Sequence, residues 1–285
     1  MAELLKGKEV ASAINERSRN DVALLKEKGI TPALAILRVG ERSEDLSYER
    51  GATKRCNETG VEVVNVVLPL DVSKETFYAK LEELNNDPNI HGILMLRPLP
   101  QHLDNELARM SIVPEKDVDG CTDGSLTGVF TNTAKGFAPC TAQAAIEILD
   151  HYGIELTGKN VVVLGRSLVV GKPVSMLLLN RNATVTVCHS KSKNIADICK
   201  KADILVVCTG KMESVNKDYV NENQIIIDVG ISFNEIKNKL CGDVLFEEVE
   251  PVVKMITPVP GGVGAVTTSV LVSHVVEAAK RTINS

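Results

Sequence analysis

Apolar positions in the first half of the chain switch between two periods. Residues 6–28 place Val10, Ala13 and Ile14, then Val22, Leu24 and Leu25, where they can share one helical stripe, and Gly29 supplies the stop. Residues 33–39 read as a buried strand. Residues 45–59 read as a helix closed by Gly60, and residues 61–70 are β-rich. Ser73 is a candidate N-cap, with Thr76 three positions on giving half of a capping box. Residues 91–96 form another apolar strand, ended by Pro98 and Pro100. Helices between strands in this order predict parallel pairing with right-handed crossovers.

The second half repeats the style. Residues 141–152 read as a helix and 160–164 as a buried strand, followed by a glycine turn and a helix over 173–181. Strands over 183–188, 204–208 and 225–229, with a short helix over 195–201, predict a doubly wound nucleotide-binding sheet. Residues 268–281 are helical and are expected to return to the first domain.

Composition narrows the class. With 285 residues, two domains are expected. Apolar residues make up 44% and aromatic residues only 3%, so the core must be built from Val, Ile, Leu and Ala, which suits strands covered on both faces. A net charge of −5 gives no basic field for a polyanion, so no nucleic-acid partner is expected. The seven cysteines are odd in number and include no CxxC pair, which argues against a disulfide framework and structural zinc; no metal site is expected. No apolar run is long enough to span a bilayer, and the first residues lack the apolar stretch of a signal peptide, so a cytoplasmic, reducing location is expected.

Candidate chemistry concentrates where strands end. In NVVVLGRSLVVGKPVSMLLL a buried strand runs into Gly165, with Gly171 and then Pro173 opening a helix. Glycine lets the backbone approach a pyrophosphate, and a helix N-terminus favours an anion. The spacing is not GxGxxG, and a strand–glycine–helix turn also fits a plain βα connection. Two further features sharpen it. Arg166 follows Gly165 directly, and the next strand ends in His189 and Ser190 with no acidic residue. NAD sites place a carboxylate there for the ribose hydroxyls; an arginine with a hydroxyl suits a 2′-phosphate, so NADP is favoured, with NAD as the alternative. His189 also reads as a plain strand-end surface residue. Cys208, Thr209 and Gly210 end a further strand, as do residues 228–232 with Ile231, and the glycine- and proline-rich loop over 257–267 contains Gly262.

The runs VVVLGRSLVVGKP, ATVTVCHSKS, DVGIS and ITPVPGGVG, together with LRVG at Leu37, Ser47-Tyr48, LNNDPNIHGIL, RPLP, KDVDG from Lys116 and PCT at Pro139, resemble the methylenetetrahydrofolate dehydrogenase/cyclohydrolase family of one-carbon metabolism and purine biosynthesis. The resemblance covers nearly the whole chain in order. It implies an α/β protein: a three-layer folate-binding domain over residues 1–138 with the C-terminal helix 268–285, a Rossmann-like domain over 139–267, a cleft between them, and a homodimer. By resemblance Gly165, Arg166, Ser167, Ser190 and Ile231 would contact the dinucleotide; Gly171, Cys208, Thr209 and Gly210 join the candidate cofactor site from the glycine-turn and strand-end reading above. Tyr48 and Asp119 would line the reduced-folate site, with Pro98 and Gly262 nearby. Tyr48 suits stacking on or hydrogen bonding to a pteridine, and also reads as a half-buried packing tyrosine. Asp119 could accept bonds from the pterin amino group and ring N–H; it also reads as a turn residue, with Asp117 as the alternative.

The pattern breaks at two places. Bifunctional members of that family carry Tyr-x-x-x-Lys-x-Lys. Here Ala52 stands at the first lysine, while Lys54 matches the second and stays among the candidate site residues, although on a helix it falls ~240° around from Tyr48. Those members also place a Gln before Leu-Pro-Leu-Pro, where this chain has Leu96. Hydration and opening of a methenyl-folate ring need a proton shuttle that neither Ala nor Leu supplies. Hydride transfer, driven by the substrate's own nitrogen lone pair, depends on orientation. The expectation is a dehydrogenase with weak or absent cyclohydrolase; a bifunctional enzyme is the alternative and a non-enzymatic folate- or nucleotide-binding protein a remote one. Ala142, Ala265 and Val266 depart from the family's proline and Pro-Met positions.

Overall fold

The computed structural model describes residues 1–283; residues 284–285, the end of the expected C-terminal helical segment, lie outside the described residues. In chain order the strands are β1 (Glu3–Leu4), β2 (Ala33–Val39), β3 (Glu62–Leu68), β4 (Gly92–Met95), β5 (Asn160–Leu164), β6 (Thr184–Cys188), β7 (Ile204–Val207), β8 (Ile225–Asp228), β9 (Ser232–Asn234), β10 (Lys239–Cys241) and β11 (Met255–Ile256). The helices are α1 (Gly7–Glu27), α2 (Ser43–Thr59), α3 (Lys74–Asn86), α4 (Asn105–Met110), α5 (Asp123–Thr131), α6 (Cys140–His151), α7 (Gly171–Asn180), α8 (Ile195–Cys199), α9 (Phe246–Val249) and α10 (Thr267–Arg281).

The chain divides into two units: Met1–Ala11 with Thr141–Thr267, and Ser12–Cys140 with the chain from Thr268 onward. Residues 1–11, expected with the first domain, therefore group with the other unit. The cause is long-range pairing: β1 lies parallel to β11, with Glu3 opposite Met255 and Leu4 opposite Ile256.

In the Ser12–Cys140 unit three parallel strands run in the order β3-β2-β4. All seven residues of β2 are buried, so this central strand is covered on both faces, whereas the edge strand β3 is largely exposed. Along α1 the stripe holds at Val10, Ile14, Val22 and Leu25, but Leu24 is 58% exposed because it sits about 200° around from Val22. Ser73 caps α3, its hydroxyl accepting the Thr76 N–H at 3.1 Å. The helix α10 is pinned by Arg281, which donates to the carbonyls of Ala134 and Gly136, both at 3.0 Å, and lies 4.3 Å from the Phe137 ring centroid.

The other unit holds a six-stranded sheet in the order β1-β11-β8-β7-β5-β6, every adjacent pair parallel. β7 is buried throughout and β5 along four of its five residues, which is why their sequences are continuous Val, Ile and Leu. No helix among the described residues is long and apolar enough to cross a membrane.

Candidate active site

Within the six-stranded sheet, β6 lies on one side of β5 and β7 on the other, so successive crossovers leave in opposite directions. Such a switch point opens a crevice at the carboxyl ends of the strands. Gly165 and Cys208 meet there. Gly165 adopts φ +136°, and a Cβ on it would stand 2.2 Å from the Cys208 carbonyl oxygen; a Cβ on Gly171 would stand 2.4 Å from the Gly165 oxygen. Only glycine lets the turn after β5 lie this close to β7 and to the start of α7. The Ser167 hydroxyl accepts the Val170 N–H at 3.1 Å and so ties the turn to the start of α7.

A cavity of about 450 Å³ opens at this point, lined by Leu164, Gly165, Arg166, Ser167, His189, Ser190, Ile195, Cys208, Thr209, Lys211, Ser214 and Tyr219. Six of the sequence candidates are brought together here: Gly165, Arg166, Ser167, Ser190, Cys208 and Thr209. Gly171 packs beneath them. The Gly210 N–H donates to Asp243 Oδ2 at 2.8 Å, and Ile231 stands 59% exposed. Lys211, Ser214 and Tyr219 were not legible as lining residues, because nothing local in their sequence marks them. The Lys191 N–H donates to His189 Nδ1 at 3.2 Å.

Beneath the loop, Asp228 is buried and accepts from the backbone N–H groups of Gly230 and Asp243 through Oδ1, at 3.0 and 3.1 Å, and of Val244 through Oδ2, at 3.0 Å. Burial pushes its carboxyl up to about 7 against the opposing pull of those hydrogen bonds, with Asp243 adding to the rise. Gly262 belongs to this unit as well: its carbonyl is approached so closely by Gly7 that a Cβ there would stand 2.1 Å away.

In the Ser12–Cys140 unit a second group forms around Tyr48 and Asp119. Tyr48 is half-buried on α2; burial foremost, then the charges of Asp119 and Cys140, push its phenol far up, so it stays protonated. Burial foremost, then Asp117, raise the Asp119 carboxyl, while Arg97 opposes them. The alternative carboxylate, Asp117, is fully buried and already engaged: Oδ1 accepts the Cys121 N–H at 3.0 Å and Oδ2 the Thr122 N–H at 2.7 Å. Asp117 shapes the turn, and Asp119 is the carboxylate left to face a ligand. The Cys140 thiol donates to the Val118 carbonyl at 3.2 Å, and burial holds it protonated.

Pro98 is exposed, and its carbonyl accepts from Arg42 at 3.0 Å. Ala52, one helical turn from Tyr48, is 0% exposed, and Leu96 is 6% exposed. Lys54 is not brought to this group. Its side chain is 79% exposed, stands 4.0 Å from Glu58, and lines a separate surface groove with Glu49, Arg50, Asn57 and Asn65. The helical period explains this, since six residues turn the chain about 600°.

Residues 5–119 match the family model described as tetrahydrofolate dehydrogenase/cyclohydrolase, catalytic domain, and residues 139–283 match its NAD(P)-binding domain. A protein of Carboxydothermus hydrogenoformans named bifunctional protein FolD is 52% identical over 279 residues, covering 98% of this chain and 97% of its own length. Among solved structures, the bifunctional FolD methylenetetrahydrofolate dehydrogenase/cyclohydrolase of Campylobacter jejuni superposes with a TM-score of 0.94 at 37% identity, covering 99% of this chain and 100% of that one. The Trypanosoma brucei methylenetetrahydrofolate dehydrogenase-cyclohydrolase, solved with NADP and an inhibitor, gives 0.90 at 35% identity, covering 100% of this chain and 99% of that one. A glycine-turn cavity at the switch point of one sheet, a Tyr–Asp group in the other unit and matches to both domains over nearly the whole chain agree: this chain belongs to the tetrahydrofolate dehydrogenase/cyclohydrolase family.

Proposed function

We propose that this protein oxidises 5,10-methylenetetrahydrofolate to the 5,10-methenyl form with NADP, and that its cyclohydrolase activity is weak or absent. The observation that carries the second half is Ala52. At the position where bifunctional members of the family carry their lysine, this chain has a fully buried methyl group. Leu96 is equally inert, Lys54 points to solvent, and Arg55 pairs with Glu58 at 2.9 Å. Neither position 52 nor position 96 supplies a group that could lend and take back the proton that ring opening requires, which supports this reading.

Hydride departure makes a smaller demand. The substrate nitrogens stabilise the cation as the C–H bond breaks, and the dinucleotide supplies the hydride acceptor when bound. The chain's part is to hold the rings: Tyr48, protonated at all working pH, stacks or donates, and Asp119 accepts from the pterin. Gly165, Ser167, Cys208 and Thr209 cradle the dinucleotide. Arg166, with Ser190 and the neighbouring His189 and Lys211, supports a 2′-phosphate at a strand end that carries no acid. A preference for NAD above tenfold in kcat/KM would overturn that part.

A homodimer is part of this reading. β3 is an edge strand with Val64 41% and Val67 48% exposed, a surface suited to a second copy and measurable by light scattering.

One assay tests the reaction. Methenyl-folate absorbance should accumulate as NADP is reduced and then decay at the rate seen without enzyme. Enzyme-dependent decay would favour the second reading, a bifunctional enzyme, which the 52%-identical relative named as bifunctional supports.

A further inference from the structure

Arg97 follows β4 and stands between buried Leu96 and exposed Pro98. Half-buried guanidinium groups are ordinarily paired, because desolvating a charge without a partner is costly. The others in this unit obey the rule. Arg38 donates to Glu49 at 2.7 Å, Arg109 donates to Asp123 at 3.0 Å and to Glu106, and Arg55 pairs with Glu58. Arg97 has no hydrogen bond and no ion pair among the described residues. Its charge nonetheless reaches Asp119 and Cys121. Cys121 packs on the core cluster containing Met95 and Leu99, which flank Arg97 along the chain. An unspent fork of N–H donors thus stands in the same group as the carboxylate left free for a ligand.

The pyrimidine edge of a reduced pterin presents a carbonyl, a ring N–H and an amino group in a row. A guanidinium beside a carboxylate is complementary to that row. Resting on the folate reading above, we propose that Arg97 binds substrate by donating to the pterin 4-oxo group while Asp119 accepts from the adjacent ring N–H and 2-amino group. Arg97 then sets specificity for 4-oxo over 4-amino pteridines, because an amino group in that place turns a donor–acceptor pair into two opposed donors. It also keeps a cation in the site that cannot deprotonate, so binding is served and proton shuttling is not.

The test compares folic acid with its 4-amino counterpart, aminopterin, by calorimetric titration of the whole protein, so that binding is read without turnover. The wild type should bind folic acid at least about tenfold more tightly. In Arg97→Leu the preference should fall to within about twofold, through weaker folic acid binding, and KM for methylenetetrahydrofolate should rise about tenfold with kcat changed much less. Equal wild-type affinities for the two probes overturn the proposal whether or not the variant folds, as does a folded Arg97→Leu that keeps both the preference and KM. Absence of methylenetetrahydrofolate oxidation with the folic acid preference intact would instead overturn the reaction assigned above and leave Arg97 in its role.

Discussion

Putting the missing proton carrier back is the most direct trial of the reasoning. In Ala52→Lys with Leu96→Gln, an amine is placed on the helix that carries Tyr48 and its holder just after β4. The site is tight, with Ala52 0% and Leu96 6% exposed, so overpacking should cost about 1–3 kcal/mol. The new ammonium would also share the group with Arg97. Were the two charges to stand ~7 Å apart, they would repel by about 2.4 kcal/mol at an effective dielectric constant of ~20. Together these reach about 3–5 kcal/mol, a large share of the ~5–15 kcal/mol that holds a typical domain folded. The double variant should therefore fold with a Tm lower by roughly 6–20 °C. The same repulsion drives the amine toward its neutral form, which is the form a base needs. Adding Arg97→Leu removes the repulsion and should recover about 5–10 °C. General acid–base catalysis is worth about 10²–10⁴ in rate, so enzyme-dependent decay of methenyl-folate should rise by at least ~10² over wild type. A folded double variant that still oxidises methylenetetrahydrofolate but leaves that decay at the wild-type rate would refute the claim that residues 52 and 96 withhold the cyclohydrolase.

Other outcomes follow from the same geometry. Gly165→Ala forces a Cβ to within 2.2 Å of the Cys208 oxygen at φ +136°, which should cost about 1–3 kcal/mol in backbone strain alone and raise KM for NADP far more than KM for folate; an unchanged cofactor KM counts against the cradle. Ser190→Asp places a carboxylate at the end of β6 and should shift kcat/KM from NADP toward NAD by about 10–100-fold; retained NADP preference would remove Ser190 from the phosphate site. Arg281→Ala breaks two backbone hydrogen bonds and a cation–π contact and should lower stability by about 1–3 kcal/mol in urea unfolding, with KM values unmoved. Asp228 holds its proton more tightly folded, at about 7, than unfolded, so the stability it adds is full below its unfolded value and lost as pH rises toward 7. Urea unfolding at pH 5.5 and 8 should show that loss in wild type and a smaller one in Asp228→Asn.

What could be read from the chain before folding was what short-range order carries. The stripe through Val10, Ile14, Val22 and Leu25 and the solid apolar runs of β5, β7 and β8 each report their own surroundings, so they were legible. β1 was not, since two residues have no period and its partner lies at Met255 and Ile256. The short helices α4 and α5 were passed over although each begins at a marked cap: Asp104 accepts from Glu106 and Leu107 at 2.9 and 3.0 Å, and Thr122 from Ser125 at 3.1 Å. At the sites, glycines announced the switch point because their spacing is local. Lys211, Ser214 and Tyr219 did not, because strand order alone brings them to the cavity.

Arg97 had a signal that was there to be read. A buried run Leu94-Met95-Leu96 has no packing reason to continue into a guanidinium, and among the described residues that guanidinium has no hydrogen bond or ion pair. The same is true in reverse of Ala52, a methyl group on the turn of helix that carries the site's tyrosine. A proton carrier is missing from one side of the Tyr48–Asp119 group and a fixed charge stands on another. On the proposed function both changes are of the same kind: the site would keep the means to hold a polar ring and lack the means to move a proton to or from it. Orientation can suffice for hydride transfer where hydrolysis also needs a proton carrier, so the proposed function predicts that one pair of positions separates the two reactions.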